Sequence, residues 1–309
     1  MPYFSVCIPL YNKANFIKKT IQSVLHQEFT DFEIVICDDG STDDSVNKVQ
    51  QFNDDRIQLI KQKNQGASEA RNRAIKESNG EYIAFLDADD IWYPKHLSHL
   101  EYLIQNYKQA KLFATNYEIQ MPGGNKRLPF FSKQLSIGII QDYFLASLTD
   151  ILMTCYNSAV HHTIFNEIGY FNPAYRTGQD IDFAIKANLT FKLAYHDAVS
   201  VTYHRQTENN LAQSKLNQDR LNYIEAYKEE AKHNTSLARY LDINRFALIM
   251  KSKQAGDDVW RKAITQINPA YLNKKQRWLI KLNAYQLKKI KKFQDFLNKQ
   301  GVYLSPFKR

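Results

Sequence analysis

The sequence predicts an α/β protein with a mostly parallel sheet flanked by helices, followed by a helical, basic C-terminal region. Strand and helix patterns alternate over the first 120 residues, which is typical of a parallel sheet wrapped by helices. Short polar clusters follow several of the strand patterns, at the positions where such sheets bind ligands. The charge also changes along the chain: residues 1–210 carry 20 Lys and Arg against 24 Asp and Glu, whereas residues 211–309 carry 21 against 8. We therefore expect a first domain over residues 1–210 and a helical region over residues 211–309.

The elements of the first part are predicted from apolar periodicity and from turn residues. The predicted strands are residues 3–9, 32–37, 56–60, 82–86 and 111–119, and the predicted helices are 17–25, 43–52, 66–78 and 94–107. After residue 120 the pattern predicts a loop or hairpin at 126–133, helices at 164–169 and 179–189, and short strands at 191–195 and 199–203. Beyond residue 211 the pattern is almost entirely helical.

The stretch from Glu81 to Pro94 places three carboxylates directly after a buried apolar run. Asp87, Asp89 and Asp90 would repel one another at the end of that strand and are costly to desolvate. One interpretation is a solvated turn that caps the next helix. The other is that paired acids hold a divalent cation, which also binds phosphate oxygens.

Five short motifs occur in a fixed order: PLYN at 9–12, DDGS at 38–41, NQG at 64–66, RN at 71–72 and DADD at 87–90. Together, at strand ends, they closely resemble the inverting family-2 glycosyltransferases with the GT-A fold, which use nucleotide-diphosphate sugars. The resemblance covers roughly residues 3–205. It implies a Rossmann-like GT-A domain over 1–210, with a nucleotide-sugar half at about 1–115 and an acceptor half at about 116–210.

The resemblance assigns donor binding to the motif residues, and their chemistry suits that role. Tyr11 can stack on a nucleobase, and the Asp39 carboxylate can accept a hydrogen bond from the N3–H of uracil. Arg71 would offset diphosphate charge or hold Asp39 in place. A packing role remains the alternative for Tyr11, and a surface ion pair for Arg71. The expected donor-binding residues are Pro9, Tyr11, Asn12, Asp39, Asn64, Gly66, Arg71, Asp87 and Ala88.

The resemblance also implies a metal cofactor, Mn²⁺ or Mg²⁺, near the DADD motif. Asp87 would face the ribose and diphosphate, Asp89 would ligate the metal, and His204 is a candidate third ligand or diphosphate contact. A divalent cation stabilises the charge that develops on a departing nucleoside diphosphate, and oxygen ligands favour Mg²⁺ or Mn²⁺ over zinc. For His204 a surface or hydrogen-bonded core position remains the alternative.

The run GQDIDF at 178–183 resembles the acidic motif of the family on the acceptor side. Asp180 then occupies the position of the catalytic base that takes the proton from the acceptor hydroxyl. Gln179 stands where the family has a Glu, which removes one negative charge. The alternative is that Asp180 and Asp182 only complement a helix N-terminus.

Other nucleotide-binding and hydrolase motifs are absent from the sequence, as is the Q-x-x-R-W signature of processive synthases. We therefore expect transfer of a single sugar, from UDP-sugar by preference, to a saccharide or lipid-linked acceptor in cell-surface polysaccharide or lipopolysaccharide assembly. A sugar nucleotidyltransferase and a catalytically silent membrane-surface scaffold are the alternatives. Two of the three cysteines lie inside strand-like apolar runs, where a cysteine is usually a small buried hydrophobe. The odd count, with no C-x-x-C pair, argues against a disulfide framework and a zinc site.

Residues 274–292 contain eight basic residues and no acidic one. On one continuous helix, Leu279, Leu282, Ile290, Phe293 and Leu297 would form a stripe opposite the lysines. Such a helix over 270–299 can lie on an anionic membrane surface, or its apolar stripe can pack on the first domain. No signal peptide or membrane span is visible in the sequence, so we expect a cytoplasmic protein, peripheral to the inner face of the membrane in the first case. Nucleic acid is not an expected partner.

Overall fold

The computed structural model describes residues 1–121, 123–132, 134–205 and 216–299. Pro122 of the predicted turn and Lys133 at the end of the predicted hairpin lie outside the described residues. The expected boundary near residue 210 also lies outside them, so the division into two domains stays a prediction.

The strands lie close to the predicted positions in the first 120 residues. They are β1 (Phe4–Leu10), β2 (Phe32–Asp38), β3 (Ile57–Lys61), β4 (Tyr82–Phe85), β5 (Ile91–Trp92), β6 (Leu112–Gln120), β7 (Lys126–Arg127), β8 (Gly138–Ile139), β9 (Ser158–His161) and β10 (Leu193–His204). The sequence predicted two short strands at 191–195 and 199–203, whereas the structure has one strand there, β10. This strand is irregular, since its register against β6 shifts between His196 and Val201.

The helices of the first part are α1 (Ile17–Leu25), α2 (Ser45–Gln50), α3 (Ala67–Lys76), α4 (His96–Asn106), α5 (Tyr143–Ala146), α6 (Ile164–Ile168) and α7 (Gln179–Thr190). The C-terminal helices are α8 (Asn217–Ala226), α9 (Lys228–His233), α10 (Thr235–Ala255), α11 (Val259–Gln266), α12 (Lys274–Leu279) and α13 (Ala284–Lys299). A single 3₁₀ turn at Pro269–Tyr271 precedes α12.

One sheet runs through the molecule in the order β3-β2-β1-β4-β9-β6-β10-β5, with β7 beside β6 and β8 beside β10. The pairs β3/β2, β2/β1, β1/β4 and β6/β10 are parallel, whereas β9 is antiparallel to both β4 and β6. Six of the eight strands in that order therefore point the same way. The structure confirms the predicted α/β class with a large, mostly parallel sheet.

The sequence did not predict β9, which joins the two parallel parts of the sheet. Its residue Val160 lies opposite both Ile83 of β4 and Leu112 of β6. A four-residue strand has no long apolar run, and its partners lie more than forty residues away in the chain. Pairing of this kind is decided by tertiary packing and not by local pattern.

The apolar core covers both faces of the sheet. In β1, Val6 and Ile8 belong to one buried cluster with α1 and α4, whereas Cys7 belongs to a second cluster with α3. This follows from the alternation of side chains along a strand, and both faces of a parallel sheet are normally buried. All three cysteines are free and buried, as expected.

The C-terminal helices pack on the sheet domain through this second cluster. Leu241 and Leu248 of α10 are buried in it together with Phe183 and Ile185 of α7. Lys253 of α10 donates hydrogen bonds to the carbonyl oxygens of two residues beyond α12, Ile280 at 2.7 Å and Leu282 at 3.0 Å. These two bonds join helices of the C-terminal region to one another, whereas the Ser236 hydroxyl of α10 donates a hydrogen bond to Asp142 in the first part of the chain. The helical region is thus held to the sheet domain by both apolar and polar contacts.

The expected continuous helix over 270–299 is instead two helices. Asn283 and Gln286 exchange backbone-to-side-chain hydrogen bonds of 3.0 Å each, which is a capping box that starts α13. Leu287 is buried and Ile290 packs on the core, whereas Phe293 is exposed. Part of the predicted apolar stripe therefore faces the core, and Trp278, Tyr285, Phe293 and Phe296 form an exposed aromatic set.

None of the helices within the described ranges is long and apolar enough to cross a membrane.

Candidate active site

A cleft of about 1540 Å³ lies beyond the carboxyl ends of β1, β2 and β4. Ten of the twelve predicted site residues line it: Pro9, Tyr11, Asp39, Asn64, Gly66, Arg71, Asp87, Ala88, Asp89 and Asp180. Asn12 and His204 lie outside the lining. Three polar strand ends meet at one edge because β1, β2 and β4 are parallel neighbours, which is where such sheets bind ligands.

Asn12 organises the loop that follows β2. It adopts a left-handed backbone conformation with φ of 50°, which Asn tolerates better than most residues. Its Oδ1 accepts a hydrogen bond from the Thr42 N–H at 2.7 Å, and its own N–H donates to Ser41 Oγ at 3.0 Å. The side chain of Asn12 therefore connects the PLYN motif to the segment that follows β2 by hydrogen bonds.

Asp39 holds the NQG loop against the cleft. Its carboxylate accepts hydrogen bonds of 2.8 Å from the backbone N–H groups of Gln65 and Gly66, and a third from Gln62 Nε2. Gly40, with φ of 74°, leaves no room for a side chain, since a Cβ would lie 3.1 Å from Asn64 N. A carboxylate offers about four acceptor positions, so Asp39 can still accept one more hydrogen bond.

Arg71 pairs with Asp87, and not with Asp39 as one of the two expectations had it. Its Nη2 lies 2.7 Å from Asp87 Oδ1, and its guanidinium lies over the ring of Phe171. The pKa of Asp87 is raised to about 6, mainly by burial and also by the charge of Asp89, whereas Arg71 acts to lower it. Among the described residues, Nε and Nη1 of Arg71 are buried without a hydrogen-bond partner.

Asp89 lies 2.7 Å from Lys13 Nζ. The next acid, Asp90, is fully buried, its Oδ1 accepts the His204 N–H at 2.8 Å, and burial raises its pKa well above the usual value. His204 therefore lies beside Asp90, with its Nδ1 3.9 Å from that carboxylate. Of the three acids in the DADD motif, Asp87 and Asp89 line the cleft.

The Asp87 and Asp89 pair fits a divalent cation that also binds the donor. Mg²⁺ is usually held by one or two carboxylates together with substrate phosphates and waters. Two adjacent carboxylates, one of them with a raised pKa, are the oxygen ligands such an ion favours. Within the described ranges, no group of three His, Cys, Asp or Glu side chains has the arrangement of an all-protein metal site.

Asp180 lies in the first turn of α7 and lines the same cleft as Asp87 and Asp89, and its charge acts on Asp87 and Arg71. The turn before it depends on Gly178, which has φ of 79° and whose Cβ would meet Tyr223 Cε1 at 2.3 Å. Asp182, two residues further along the chain, is not among the residues that line the cleft, and its Oδ1 accepts a hydrogen bond of 2.7 Å from the Tyr227 hydroxyl. Two acids of the same turn thus have different surroundings, and only the first faces the cleft.

Sequence reasoning missed several residues that line the cleft. Lys13 follows the PLYN motif directly and could have been found from that position. A second group comes from the less regular part of the chain: Tyr117, Arg127, Asp150, Tyr156 and Tyr203. A third group comes from the C-terminal region and the strand end before it: Arg205, Arg220, Tyr223, Asn244 and Lys251. The second and third groups have no motif, because only folding brings them to the cleft.

Comparison with known proteins agrees with this architecture. The family model described as Glycosyl transferase family 2 matches residues 5–169. An uncharacterized glycosyltransferase of Rickettsia felis is 31% identical over 188 residues, which is 60% of this chain and 31% of the relative. The UDP-Glc:alpha-D-GlcNAc-diphosphoundecaprenol beta-1,3-glucosyltransferase WfgD of Escherichia coli is 39% identical over 117 residues, 37% of this chain and 46% of the relative.

The fold has a solved counterpart. The S. aureus TarS fragment 1–349, determined in complex with UDP-GlcNAc, superimposes with a TM-score of 0.69 at 19% identity, over 98% of this chain and 93% of the other. This likeness shows the GT-A fold. The chain matches less than half the length of these two curated relatives. The family match covers more than half of the chain and includes the strand ends that carry the cleft, so this protein belongs to glycosyl transferase family 2.

Proposed function

We propose that this chain is a metal-dependent, inverting glycosyltransferase that moves one sugar from a nucleotide-diphosphate sugar, UDP-sugar by preference, to an acceptor hydroxyl. The observation that carries the proposal is the meeting of the Asp87 and Asp89 pair, the Asp39 loop and Asp180 in one cleft. The residues that we propose for donor binding, metal binding and proton transfer are far apart in the sequence, and they line one cleft.

On the donor side, the chain binds and orients. Tyr11 is 40% exposed at the cleft and offers its ring to a base, while Asp39 fixes the loop that closes over the nucleotide. Arg71 and Lys13 bring positive charge to Asp87 and Asp89. A bound Mn²⁺ or Mg²⁺, held by Asp87 and Asp89, would stabilise the negative charge that develops on the leaving diphosphate.

On the acceptor side, Asp180 takes the proton. The acceptor oxygen forms its bond to the anomeric carbon while the bond to the β-phosphate oxygen breaks, and the acceptor proton moves to the Asp180 carboxylate. A single displacement of this kind inverts the configuration at the anomeric carbon. Asp180 fits the role because it lines the same cleft as the proposed donor residues and belongs to a different element, α7.

We place the reaction in cell-surface polysaccharide or lipopolysaccharide assembly, with a saccharide or lipid-linked acceptor. The name of the Escherichia coli relative specifies a diphosphoundecaprenol acceptor. The exposed aromatic set of α12 and α13 lies among nine Lys and Arg residues between Lys274 and Lys299, which suits an anionic membrane surface. The protein would then work at the cytoplasmic face of a membrane.

Thermal shift with UDP and a panel of nucleotide sugars, with and without Mn²⁺, tests the donor assignment. A ligand that binds only the folded chain raises Tm, and at 100 times Kd it contributes about 2.7 kcal/mol. We expect a shift with UDP that is larger with Mn²⁺ and that Asp89→Ala abolishes. Asp55→Ala, which removes an exposed acid outside the cleft, serves as the matched control. No shift with any nucleotide would favour the catalytically silent scaffold.

A further inference from the structure

Polar side chains of α1 and of the residues just beyond it bind the backbone that follows β4. Ser23 Oγ accepts a hydrogen bond of 3.2 Å from the Trp92 N–H, and Gln27 Nε2 donates one of 2.8 Å to the Tyr93 carbonyl oxygen. Thr20 lies one turn before Ser23, and residues three or four apart are neighbours on a helix surface. The chain after β4 is therefore attached to one face of α1.

Thr20 binds the backbone on both sides of Asp89. Its hydroxyl lies 3.0 Å from the carbonyl oxygen of Ala88 and 2.9 Å from that of Asp90, so the two carbonyls share its single proton. Thr20 and Asp90 are fully buried, and Ala88 is 3% exposed. Because water does not reach these groups to replace the hydroxyl, Thr20 restricts the backbone conformation of Asp89.

The carboxylate of Asp89 is contacted from the start of the same helix. Asp89 Oδ2 lies 2.7 Å from Lys13 Nζ. The Lys13 carbonyl oxygen accepts the N–H of Ile17, the first residue of α1, at 2.9 Å. Both the backbone and the side chain of Asp89 are therefore positioned with respect to α1.

We propose that Thr20 is a positioning residue for the metal, which holds Asp89 in the orientation that lets its carboxylate ligate a divalent cation. The inference rests on the proposed function, and it adds a residue that none of the five motifs contains. Thr20 acts through Asp89, because no residue of α1, which is described in full, is among those that line the cleft. Replacing a residue that orients a metal ligand typically lowers metal affinity about 10–100-fold.

Thr20 could instead stabilise the fold without any effect on the metal, and the measurement must separate these two roles. UDP binding to the full chain is measured calorimetrically over a series of Mn²⁺ concentrations, which gives the Mn²⁺ affinity of the UDP complex. UDP affinity without metal and Tm are recorded for each variant. A loss of stability alone lowers Tm and leaves the Mn²⁺ affinity of the folded chain unchanged.

Three substitutions of Thr20 isolate the hydroxyl. Thr20→Val replaces it by a methyl group of similar size, whereas Thr20→Ser and Thr20→Ala remove the same methyl group and differ only in the hydroxyl. We expect Thr20→Val and Thr20→Ala to lower the Mn²⁺ affinity about 10–100-fold and Thr20→Ser to retain it. UDP affinity without metal should be retained in all three. The Ser and Ala pair gives the same comparison if Thr20→Val does not fold.

Val24→Ala is the matched control for stability. Val24 is fully buried in the same helix and belongs to the apolar cluster on that face of the sheet. Its truncation lowers Tm by leaving a cavity and removes no hydrogen bond. The Mn²⁺ affinity of this variant should equal that of the wild type.

Wild-type Mn²⁺ affinity in Thr20→Val and Thr20→Ala would overturn the proposed role of Thr20, as would equal losses in Thr20→Ser and Thr20→Ala. A similar loss in Val24→Ala would show that lowered stability, and not the hydroxyl, is responsible. UDP binding by the wild type that does not respond to Mn²⁺ would contradict the metal dependence in the proposed function, and the role of Thr20 with it.

Discussion

Replacing Asp180 by Asn should stop sugar transfer without disturbing the fold or the nucleotide site. The substitution keeps the shape of the side chain in the first turn of α7 but removes its ability to accept a proton. The Asp39 loop and the Asp87 and Asp89 pair belong to other elements, and the charge of Asp180 acts on Asp87 and Arg71. UDP affinity should therefore stay within about tenfold of the wild type, because the substitution removes a neighbouring charge and keeps the shape of the side chain.

The size of the effect follows from what a general base contributes. Positioned proton transfer is worth about 10²–10⁴-fold in rate, so the barrier should rise by about 2.7–5.5 kcal/mol. The structure supplies a matched control in the same helical turn. Asp182 is not among the residues that line the cleft, it accepts a hydrogen bond from Tyr227, and burial raises its pKa. Asp182→Asn should thus change stability by about 1 kcal/mol or less and leave the rate intact.

The assay is release of nucleoside diphosphate from the donor that gives the largest thermal shift with wild-type protein, measured with an acceptor preparation under single-turnover conditions. UDP binding and Tm are recorded for each variant. Wild-type turnover by Asp180→Asn would refute the assignment of the base. Equal losses in Asp180→Asn and Asp182→Asn would show that the turn, and not the proton acceptor, is what matters.

Three further predictions concern stability, pH and the basic helix. Gly178→Ala should cost about 1–3 kcal/mol more in urea denaturation than Gly256→Ala: both glycines are in the left-handed helical conformation, with φ of 79° and 83°, but only the first would press a Cβ into Tyr223. Mn²⁺-dependent UDP affinity should fall as the pH is lowered through 6, because the pKa of Asp87 is about 6 and the protonated acid is a poor metal ligand. A UDP affinity that does not change between pH 5 and pH 7 would contradict this prediction. The chain should co-sediment with phosphatidylglycerol vesicles and not with phosphatidylcholine vesicles. Lys→Gln changes within 281–292 should abolish this binding, because each lysine near an anionic surface contributes about 1 kcal/mol. Equal sedimentation of the variant and the wild type would argue against binding to a membrane surface.

Local pattern was a good guide wherever an element is buried against its sequence neighbours. Helix α1 has the predicted bounds, β1 differs from the prediction by one residue at each end, and β2 differs by one residue at its C-terminal end. Most of the motif residues were found for the same reason, because they lie at or after the end of a recognisable strand, whereas Arg71 lies inside α3. The capping box of Asn283 and Gln286 was also readable in the sequence, and attention to it would have divided the long basic helix correctly.

Long-range pairing set the limit of that reasoning. Strand β9 acquires its place between β4 and β6 from partners far away in the chain, and a four-residue strand has too little pattern of its own. The partner of Arg71 could not be predicted from the sequence either. The Asp39 carboxylate accepts hydrogen bonds from the backbone N–H groups of residues 65 and 66, and the Arg71 guanidinium pairs with Asp87 instead.

The sequence by itself determined the parallel sheet of the first half, the donor motifs and the identity of Asp180 as the acid at the start of a helix. Apolar periodicity and turn residues are local properties, so they can be read along the chain. Only the tertiary structure decided which of Asp180 and Asp182 faces the cleft, and that Arg220 and Lys251 of the C-terminal helices join it. Those positions depend on how α7, α8 and α10 pack on one another, and such packing cannot be predicted from the residues next to each position in the sequence.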